Sequence, residues 1–190
     1  MGGRAVLNAG ASDDELARIA AVQRRTLFGA LEPELTGDER LALDFGCGPG
    51  RFTPELARLI GGRAVGVDPV AALLDLAPRD PAVDYRVMSP GRIPLGEGEA
   101  DLVWVCLVLG GVTESDVLRQ TVTEIQRVLA PGGILLLAEC TNEKPNVSYW
   151  HYRSAEDYKR MFPSVGLVER GHYNELENTV TVLVGRRATP

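Results

Sequence analysis

One stretch of the chain, residues 41–52, constrains the fold more than any other. It begins with an apolar run over 41–45 that contains one acid, and then has a glycine at every second position: Gly46, Gly48 and Gly50. The apolar run predicts a buried parallel strand, and segment 53–60 predicts a helix that Thr53 caps and whose first turn accepts Pro54. Because β-carbons are missing on one side of the turn, a ligand can approach the backbone and face the first amides of the helix. The sequence therefore predicts a ligand-binding turn here.

A second acid follows at the distance that a nucleoside site requires. Asp68 ends the short apolar strand 64–67, about twenty residues beyond the glycine turn. An ionised carboxylate at this point can accept hydrogen bonds from both ribose hydroxyls. The alternative, compatible with the first, is that Asp68 caps a helix predicted over 70–77. A dinucleotide is disfavoured, because the third glycine of a G-x-G-x-x-G fingerprint would fall where this chain has Arg51.

The motif Asp44-x-Gly46-x-Gly48-x-Gly50, paired with Asp68, resembles that of class I S-adenosylmethionine-dependent methyltransferases. The resemblance runs from about residue 41 to about residue 185, and it implies S-adenosylmethionine as the cofactor. The cofactor-binding residues that it implies are Asp44, Gly46, Cys47, Gly48, Gly50, Asp68, Pro69, Ser89 and Leu107.

Ser89 marks a departure from the family pattern. After the third strand, members of the family often place an acid or an amide on the adenine amino group, and this chain has Ser89 at the matching position. Either the Ser89 hydroxyl or a main-chain group is therefore expected to contact adenine.

Length and charge limit what the protein binds. The 190 residues suit one domain, and a net charge of -6 disfavours a nucleic-acid partner. No apolar run approaches a membrane span, and the first residues lack the apolar stretch of a signal peptide. The abundance of Ala, Gly, Arg and Pro is typical of a GC-rich bacterial genome. We therefore expect a cytoplasmic bacterial protein that acts on a small-molecule acceptor, without a membrane partner, and we leave the oligomeric state open.

The segment before the first strand predicts one long helix. Residues 12–15 have the spacing of a capping box, and an amphipathic stripe continues over about 13–31. Related enzymes often carry a lid over the cofactor pocket here, and the alternative is that the helix packs on the sheet. The expected division is an N-terminal helical lid over 1–37 and a methyltransferase core over 38–190.

The rest of the core alternates strands and helices. Hydrophobic patterning predicts strands over 82–88, 100–107 and 134–139, a helix over 114–129, a short helix after Ser154 and a terminal hairpin of 165–173 with 179–185. Pro131, Gly132 and Gly133 are predicted to form a turn between helix and strand. Asp101, at the amino end of a strand, is predicted to be a structural turn acid. The resemblance implies an α/β fold: a Rossmann-like, seven-stranded, mostly parallel sheet with helices on both faces and a C-terminal antiparallel hairpin strand.

Methyl transfer depends mainly on alignment of the reactants and exclusion of water, and some members of the family add a general base. The catalytic candidates are Glu139, at the end of the fifth strand, and His151, in the loop 146–153. A neutral imidazole can take a proton near pH 7, and the loop aromatics Tyr149, Trp150 and Tyr152 suit a planar acceptor. The alternative for His151 is a surface or packing histidine beside aromatics. Glu139 could instead orient the methionine end of the cofactor or a substrate amine, or only cap the turn. His172 is the weaker histidine.

Metal chemistry is not expected from this sequence. Cys47, Cys106 and Cys140 lack the C-x-x-C spacing of zinc sites, and three scattered cysteines argue against a disulfide framework. Three functions remain open: a small-molecule methyltransferase, a non-catalytic S-adenosylmethionine-binding module, and a methyltransferase with a protein or RNA acceptor.

Overall fold

The structure, a computed structural model, describes residues 13–175 and 177–189. Its helices are α1 Asp13–Leu31, α2 Thr53–Leu59, α3 Ala71–Leu74, α4 Ser115–Val128 and α5 Ala155–Met161. Its strands are β1 Leu41–Phe45, β2 Arg63–Asp68, β3 Val83–Val87, β4 Ala100–Cys106, β5 Leu129–Cys140, β6 Val168–Glu175 and β7 Asn178–Arg186. Ser12, the first residue of the predicted capping box, lies outside the described residues.

The strands form one sheet in the order β3-β2-β1-β4-β5-β7-β6. Strands β1 to β5 are parallel to one another, and β7 runs antiparallel to both β5 and β6. The predicted α/β fold with a C-terminal antiparallel hairpin is therefore confirmed. The chain order reverses between β1 and β4, and in such sheets ligands bind in the crevice outside the carboxyl ends of those strands.

Helices cover both faces of the sheet and create two apolar cores. On one face, Ile125 of α4 and Tyr158 of α5 are fully buried. On the other face, Leu27 of α1 and Leu56 of α2 are fully buried. In the described ranges, no helix is long and apolar enough to cross a membrane.

The second half of α1 packs on the sheet. Leu27 and Leu31 have no exposed surface, and the Phe28 ring lies 5.1 Å from the ring of Trp104, a buried residue of β4. This is the packing that the sequence offered as the alternative to a lid. The lid role of residues 1–37 stays a prediction.

Two helices differ from the predictions at their start or length. Thr53 does not cap α2, since Phe52 occupies the N-cap position and the buried Thr53 hydroxyl donates instead to Asp44 Oδ2 at 2.6 Å. Helix α3 is one turn, shorter than the predicted 70–77, and buries none of its residues. A helix without a buried face gains little stability from tertiary packing. This explains why α3 ends after one turn.

Strand β5 begins earlier than predicted. Residues 131–133 were expected to form a turn, but they lie inside β5, which starts at Leu129. The pairing of β5 with β4 jumps from Ala100 opposite Leu129 to Leu102 opposite Ile134. The extra residues are therefore accommodated as an irregularity within the strand, with Gly132 at a φ of 75°.

Candidate cofactor and acceptor site

The turn between β1 and α2 depends on three glycines with positive φ: 70° at Gly46, 54° at Gly48 and 71° at Gly50. This is the left-handed region that favours glycine. A β-carbon at Gly46 would collide with Val108, and one at Gly50 would collide with the Tyr85 ring, whereas nothing lies within 4 Å of that point at Gly48. Two of the glycines therefore allow close packing, and Gly48 leaves open space beside the backbone.

One carboxylate joins the two sequence motifs. The Gly48 amide donates to Asp68 Oδ2 at 2.9 Å, and the Val70 amide donates to Asp68 Oδ1 at 2.8 Å. Asp68 thus holds the glycine turn and the segment before α3 together. Each oxygen keeps a further lone pair, so the carboxylate can still accept hydrogen bonds from a ligand.

A cavity of about 540 Å³ lies beside this carboxylate. Five residues predicted to bind the cofactor line it: Gly46, Gly48, Asp68, Pro69 and Leu107. Met88, which follows β3, and Trp150, from the loop after β5, also line it. The volume falls within the roughly 300–1,000 Å³ that is typical of small-molecule sites, so the cavity is large enough for a nucleoside.

The remaining predicted cofactor residues do not line this cavity: Asp44, Cys47, Gly50 and Ser89. The Cys47 sulfur lies against Gly66, and burial raises the pKa of this thiol above its ordinary value. Ser89 is exposed, and its carbonyl accepts from the Arg92 amide at 3.0 Å. Cofactor contacts by these residues stay predictions.

Asp44 is a buried acid at the end of β1. Burial raises the pKa of Asp44 to about 7, although the hydrogen bond from Thr53 and the charge of Arg51 act in the opposite direction. Since Thr53 is the first residue of α2, Asp44 ties the strand directly to the helix that follows the glycine turn.

Glu139 holds the turn that follows β4. Its Oε1 accepts from the amides of Val108 at 2.8 Å and Leu109 at 2.7 Å, and its Oε2 accepts from the amide of Gly110 at 3.3 Å. Burial raises the pKa of Glu139 to about 7, against the lowering effect of these hydrogen bonds and of the nearby Arg153 charge. The geometry matches the turn-capping alternative for this residue.

Leu107 has an unusual backbone at the cavity wall. Its φ is 58°, a left-handed value in a residue other than glycine. Its amide donates to the Ala138 carbonyl at 2.8 Å. Such a conformation costs about 1–3 kcal/mol, and the three Glu139 hydrogen bonds just beyond it hold the strained turn in place.

The loop 146–153 docks on the same turn. The His151 amide donates to the Gly110 carbonyl at 2.8 Å, and the Arg153 guanidinium donates to the carbonyls of Leu109 at 2.9 Å and Val112 at 3.2 Å. Trp150 lies so close to Gly110 that a β-carbon on that glycine would collide with the indole. The predicted aromatic loop therefore meets the cavity through Trp150.

The two histidines differ in their surroundings. His151 is half-buried in the docked loop. His172 lies on β6 with its Nδ1 3.8 Å from Glu169 Oε1 and most of its side chain exposed. Of the two, only His151 belongs to a segment that contacts the turn 107–112.

Sequence reasoning missed several residues that shape the site. Tyr85 covers the glycine turn from β3, Thr53 anchors Asp44, and Arg153 pins the turn after β4. Trp150 was not among them: the sequence had suggested that the loop aromatics face the acceptor pocket, and Trp150 does line the cavity. The alternation of β3 could have placed Tyr85 on one face, whereas nothing local in the sequence marks Arg153.

The chain's residues fit S-adenosylmethionine. The space beside Gly48 is open, a carboxylate with spare lone pairs stands in the wall, and most of the cavity lining is apolar. Such a cavity can take an adenine ring, and Asp68 can accept from ribose.

Comparison with known proteins identifies the family. The methyltransferase domain family matches residues 43–137, which is half of the chain. N-demethylindolmycin N-methyltransferase of Streptomyces griseus is 30% identical over 118 residues, 60% of this chain and 50% of that protein. A malonyl-[acyl-carrier protein] O-methyltransferase of Enterobacter lignolyticus is 38% identical over 94 residues, 49% of this chain and 36% of that protein. The chain thus spans half or less of the length of these relatives.

Solved structures agree with the fold. A crystal structure of an S-adenosylmethionine-dependent methyltransferase from Methanosarcina mazei superposes with a TM-score of 0.69 at 17% identity, covering 84% of this chain and 97% of that one. With the motif pair, the cavity and the family match, this protein belongs to the class I S-adenosylmethionine-dependent methyltransferases.

Proposed function

We propose that the protein transfers a methyl group from S-adenosylmethionine to a small-molecule acceptor. The observation that carries this proposal is the bond from the Gly48 amide to Asp68, because it unites the glycine turn and the ribose-binding acid in the wall of one cavity. Asp68 and the backbone around Gly48 hold the nucleoside. Met88 and Leu107 supply apolar walls.

Bound S-adenosylmethionine supplies a methyl group on a positively charged sulfur, already activated for displacement. The chain's own contribution is alignment and exclusion of water, which can account for several kcal/mol of the barrier. Glu139 and Arg153 act on either side of the turn 107–112, the first through its amides and the second through its carbonyls. They keep this wall rigid, and Glu139 is in our proposal an anchor rather than a base.

Acceptor selection belongs in this proposal to the loop 146–153. Trp150 closes the cavity, and His151 serves as a general base for acceptors that must lose a proton. In this proposal the chain keeps the division into an N-terminal helical lid over 1–37 and a methyltransferase core over 38–190. The overall negative charge and the apolar lining of the cavity favour a small acceptor over a nucleic acid. N-demethylindolmycin N-methyltransferase is among the relatives, which supports the same choice.

Cofactor binding is tested by calorimetry with S-adenosylmethionine. Asp68→Ala removes the ribose acceptor and the bond to Gly48. The free energy of S-adenosylmethionine binding should therefore become less favourable by about 1–3 kcal/mol. Asp75→Ala, an exposed acid just after α3, is the matched control and should bind like the wild type. NAD should not compete, because Arg51 replaces the third dinucleotide glycine. Equal affinity of the two variants would remove Asp68 from the site.

Turnover separates the proposal from its alternatives. Labelled methyl transfer to a panel of amines, phenols and carboxylic acids should find an acceptor if the protein is a small-molecule enzyme. Tight cofactor binding with no transfer across the panel would favour a binding module. Salt-sensitive RNA binding would favour an RNA acceptor instead.

A further inference from the structure

A second polar cluster lies at the carboxyl edge of the sheet, on the face that α1 covers. Strand β6 is antiparallel to β7, and β7 is antiparallel to β5, so β6 ends at the same edge as the parallel strands. Its last residue is Glu175. Because side chains alternate along a strand, Glu175 shares a face with Tyr173, which is buried in the core beneath α1.

Gln23 of α1 reaches this cluster from above. It has no exposed surface, and its Nε2 donates to the Tyr173 hydroxyl at 2.9 Å and to the Cys106 sulfur at 3.6 Å. Cys106 is the last residue of β4 and directly precedes the strained Leu107 of the cavity wall. The cluster therefore stands next to the proposed cofactor site.

Two buried atoms of this cluster have no hydrogen-bond partner among the described residues: Gln23 Oε1 and Glu175 Oε2. Most buried polar atoms in folded proteins are paired, and leaving one unpaired is unfavourable. Both atoms are acceptors, so the group that would satisfy them is a hydrogen-bond donor. An amino group suits them best, because one nitrogen carries several N–H bonds and can meet a carboxylate and an amide carbonyl together.

The charges around the cluster favour the same ligand. Burial raises the pKa of the Cys106 thiol, and the Arg51 charge lowers it, while the carboxyl groups of Glu139, Glu175 and Asp44 raise it further. Three acids and one guanidinium thus act on this point. The guanidinium of Arg51 lies over the Phe52 ring, 4.3 Å from its centroid. Burial raises the pKa of Glu175, and the Arg51 charge only partly opposes this, so a positively charged amine beside Glu175 would favour its ionised form.

We propose that Gln23 Oε1 and Glu175 Oε2 form a recognition site for an amino group of the methyl acceptor. The inference rests on the proposed methyltransferase function and narrows its acceptor class to amines. Gln23 and Glu175 are binding residues for the acceptor and take no part in cofactor binding.

Calorimetry tests this site. The full chain is first saturated with S-adenosylhomocysteine, and 2-phenylethylamine, 2-phenylethanol or phenylacetate is then titrated into it. The three probes share a ring and differ in the polar group. We expect the amine to bind at least about tenfold more tightly than either of the other two, since a charge-assisted hydrogen bond is stronger than a neutral one. Glu175→Gln and Gln23→Leu should each remove most of this preference.

The control is Glu169→Gln, an exposed glutamate on the same strand, which should keep the wild-type preference. Glu175→Gln should also retain wild-type S-adenosylmethionine affinity, and its half-buried position makes it the safer variant to fold. Cofactor binding without any preference for the amine would overturn this inference and leave the proposed function intact. If the wild-type protein did not bind the cofactor at all, the proposed function would instead be overturned. A crystal structure in which the Arg51 guanidinium donates a hydrogen bond to Glu175 Oε2 would also contradict the inference.

Discussion

At the residue scale, Gly48 and Gly50 have the same sign of φ but different surroundings. Alanine at either position adopts a left-handed conformation, which costs about 1–2 kcal/mol. At Gly50 the new β-carbon also collides with Tyr85, whereas at Gly48 it enters open space. We therefore expect Gly50→Ala to lower the melting temperature more than Gly48→Ala. Calorimetry should show that Gly48→Ala, though folded, loses at least about tenfold in S-adenosylmethionine affinity.

The pair of variants acts as its own control. A Gly48→Ala protein that bound S-adenosylmethionine like the wild type would place the cofactor elsewhere. If Gly48→Ala lowered the melting temperature as much as Gly50→Ala does, this would show that both glycines serve packing alone.

His151 is the residue on which the proposed chemistry depends most. If it removes a proton in the rate-limiting step, His151→Ala should lower kcat by about 100-fold or more with nearly unchanged cofactor affinity. If it only shapes the pocket, the acceptor KM should rise instead. His172→Ala, on the exposed face of β6, is the matched control and should keep wild-type kinetics. Unchanged kcat and KM in His151→Ala would show that His151 takes no part in catalysis, and that the protein acts only by bringing the reactants together.

At the element scale, the turn 107–112 is held from two directions. Glu139 accepts from its amides, and Arg153 donates to its carbonyls. The strained Leu107 backbone lies at one end of this turn. Rigidity here is therefore a property of three segments together: the end of β4, the end of β5 and the loop 146–153.

Arg153→Met tests this arrangement. The variant loses hydrogen bonds from a charged donor, each contributing about 1.5–3 kcal/mol, so amide hydrogen exchange over residues 108–112 should accelerate by at least about tenfold. The acceptor KM should rise with it. Arg160→Met, which removes an exposed arginine of α5, is the control for loss of charge. Unaltered exchange in Arg153→Met would show that Glu139 alone holds the turn.

At the scale of the whole molecule, two buried acids make stability depend on pH. Burial raises the pKa of Asp44 from 3.8 and that of Glu139 from 4.5, in each case to about 7. Between the ordinary values and pH 7 the folded state binds more protons than the unfolded state, so the free energy of unfolding falls as pH rises. The loss should be on the order of 3 kcal/mol for each group and should level off above about pH 7.

Urea denaturation between pH 4.5 and 8 measures this slope. Asp44→Asn combined with Glu139→Gln should flatten most of it. Asp116→Asn, at an exposed position on α4, should keep the wild-type slope. Stability that rose with pH across this range would contradict the assignment of raised pKa values to these two acids.

Much of the site was predictable because its chemistry is local. The glycine turn and Asp68 belong to one strand, turn, helix and strand unit, within which spacing along the chain sets spacing in space. The open side of Gly48 and the bond to Asp68 agree with that local logic. The terminal hairpin was predictable for the same reason, since alternation and a short connection determine its pairing.

The contacts that hold the rest of the site depend on tertiary structure. Glu139 meets the Val108 amide 31 residues away, and Gln23 meets Tyr173 across 150 residues. Thr53 looked like a helix cap, yet burial turned its hydroxyl toward Asp44. By itself, the sequence determined which segments are strands, where the chain turns on glycine and which acid follows that turn, because these depend on neighbours along the chain. Only the order of strands in the sheet decided which buried acids and amides meet, because that order brings together segments that are distant in sequence.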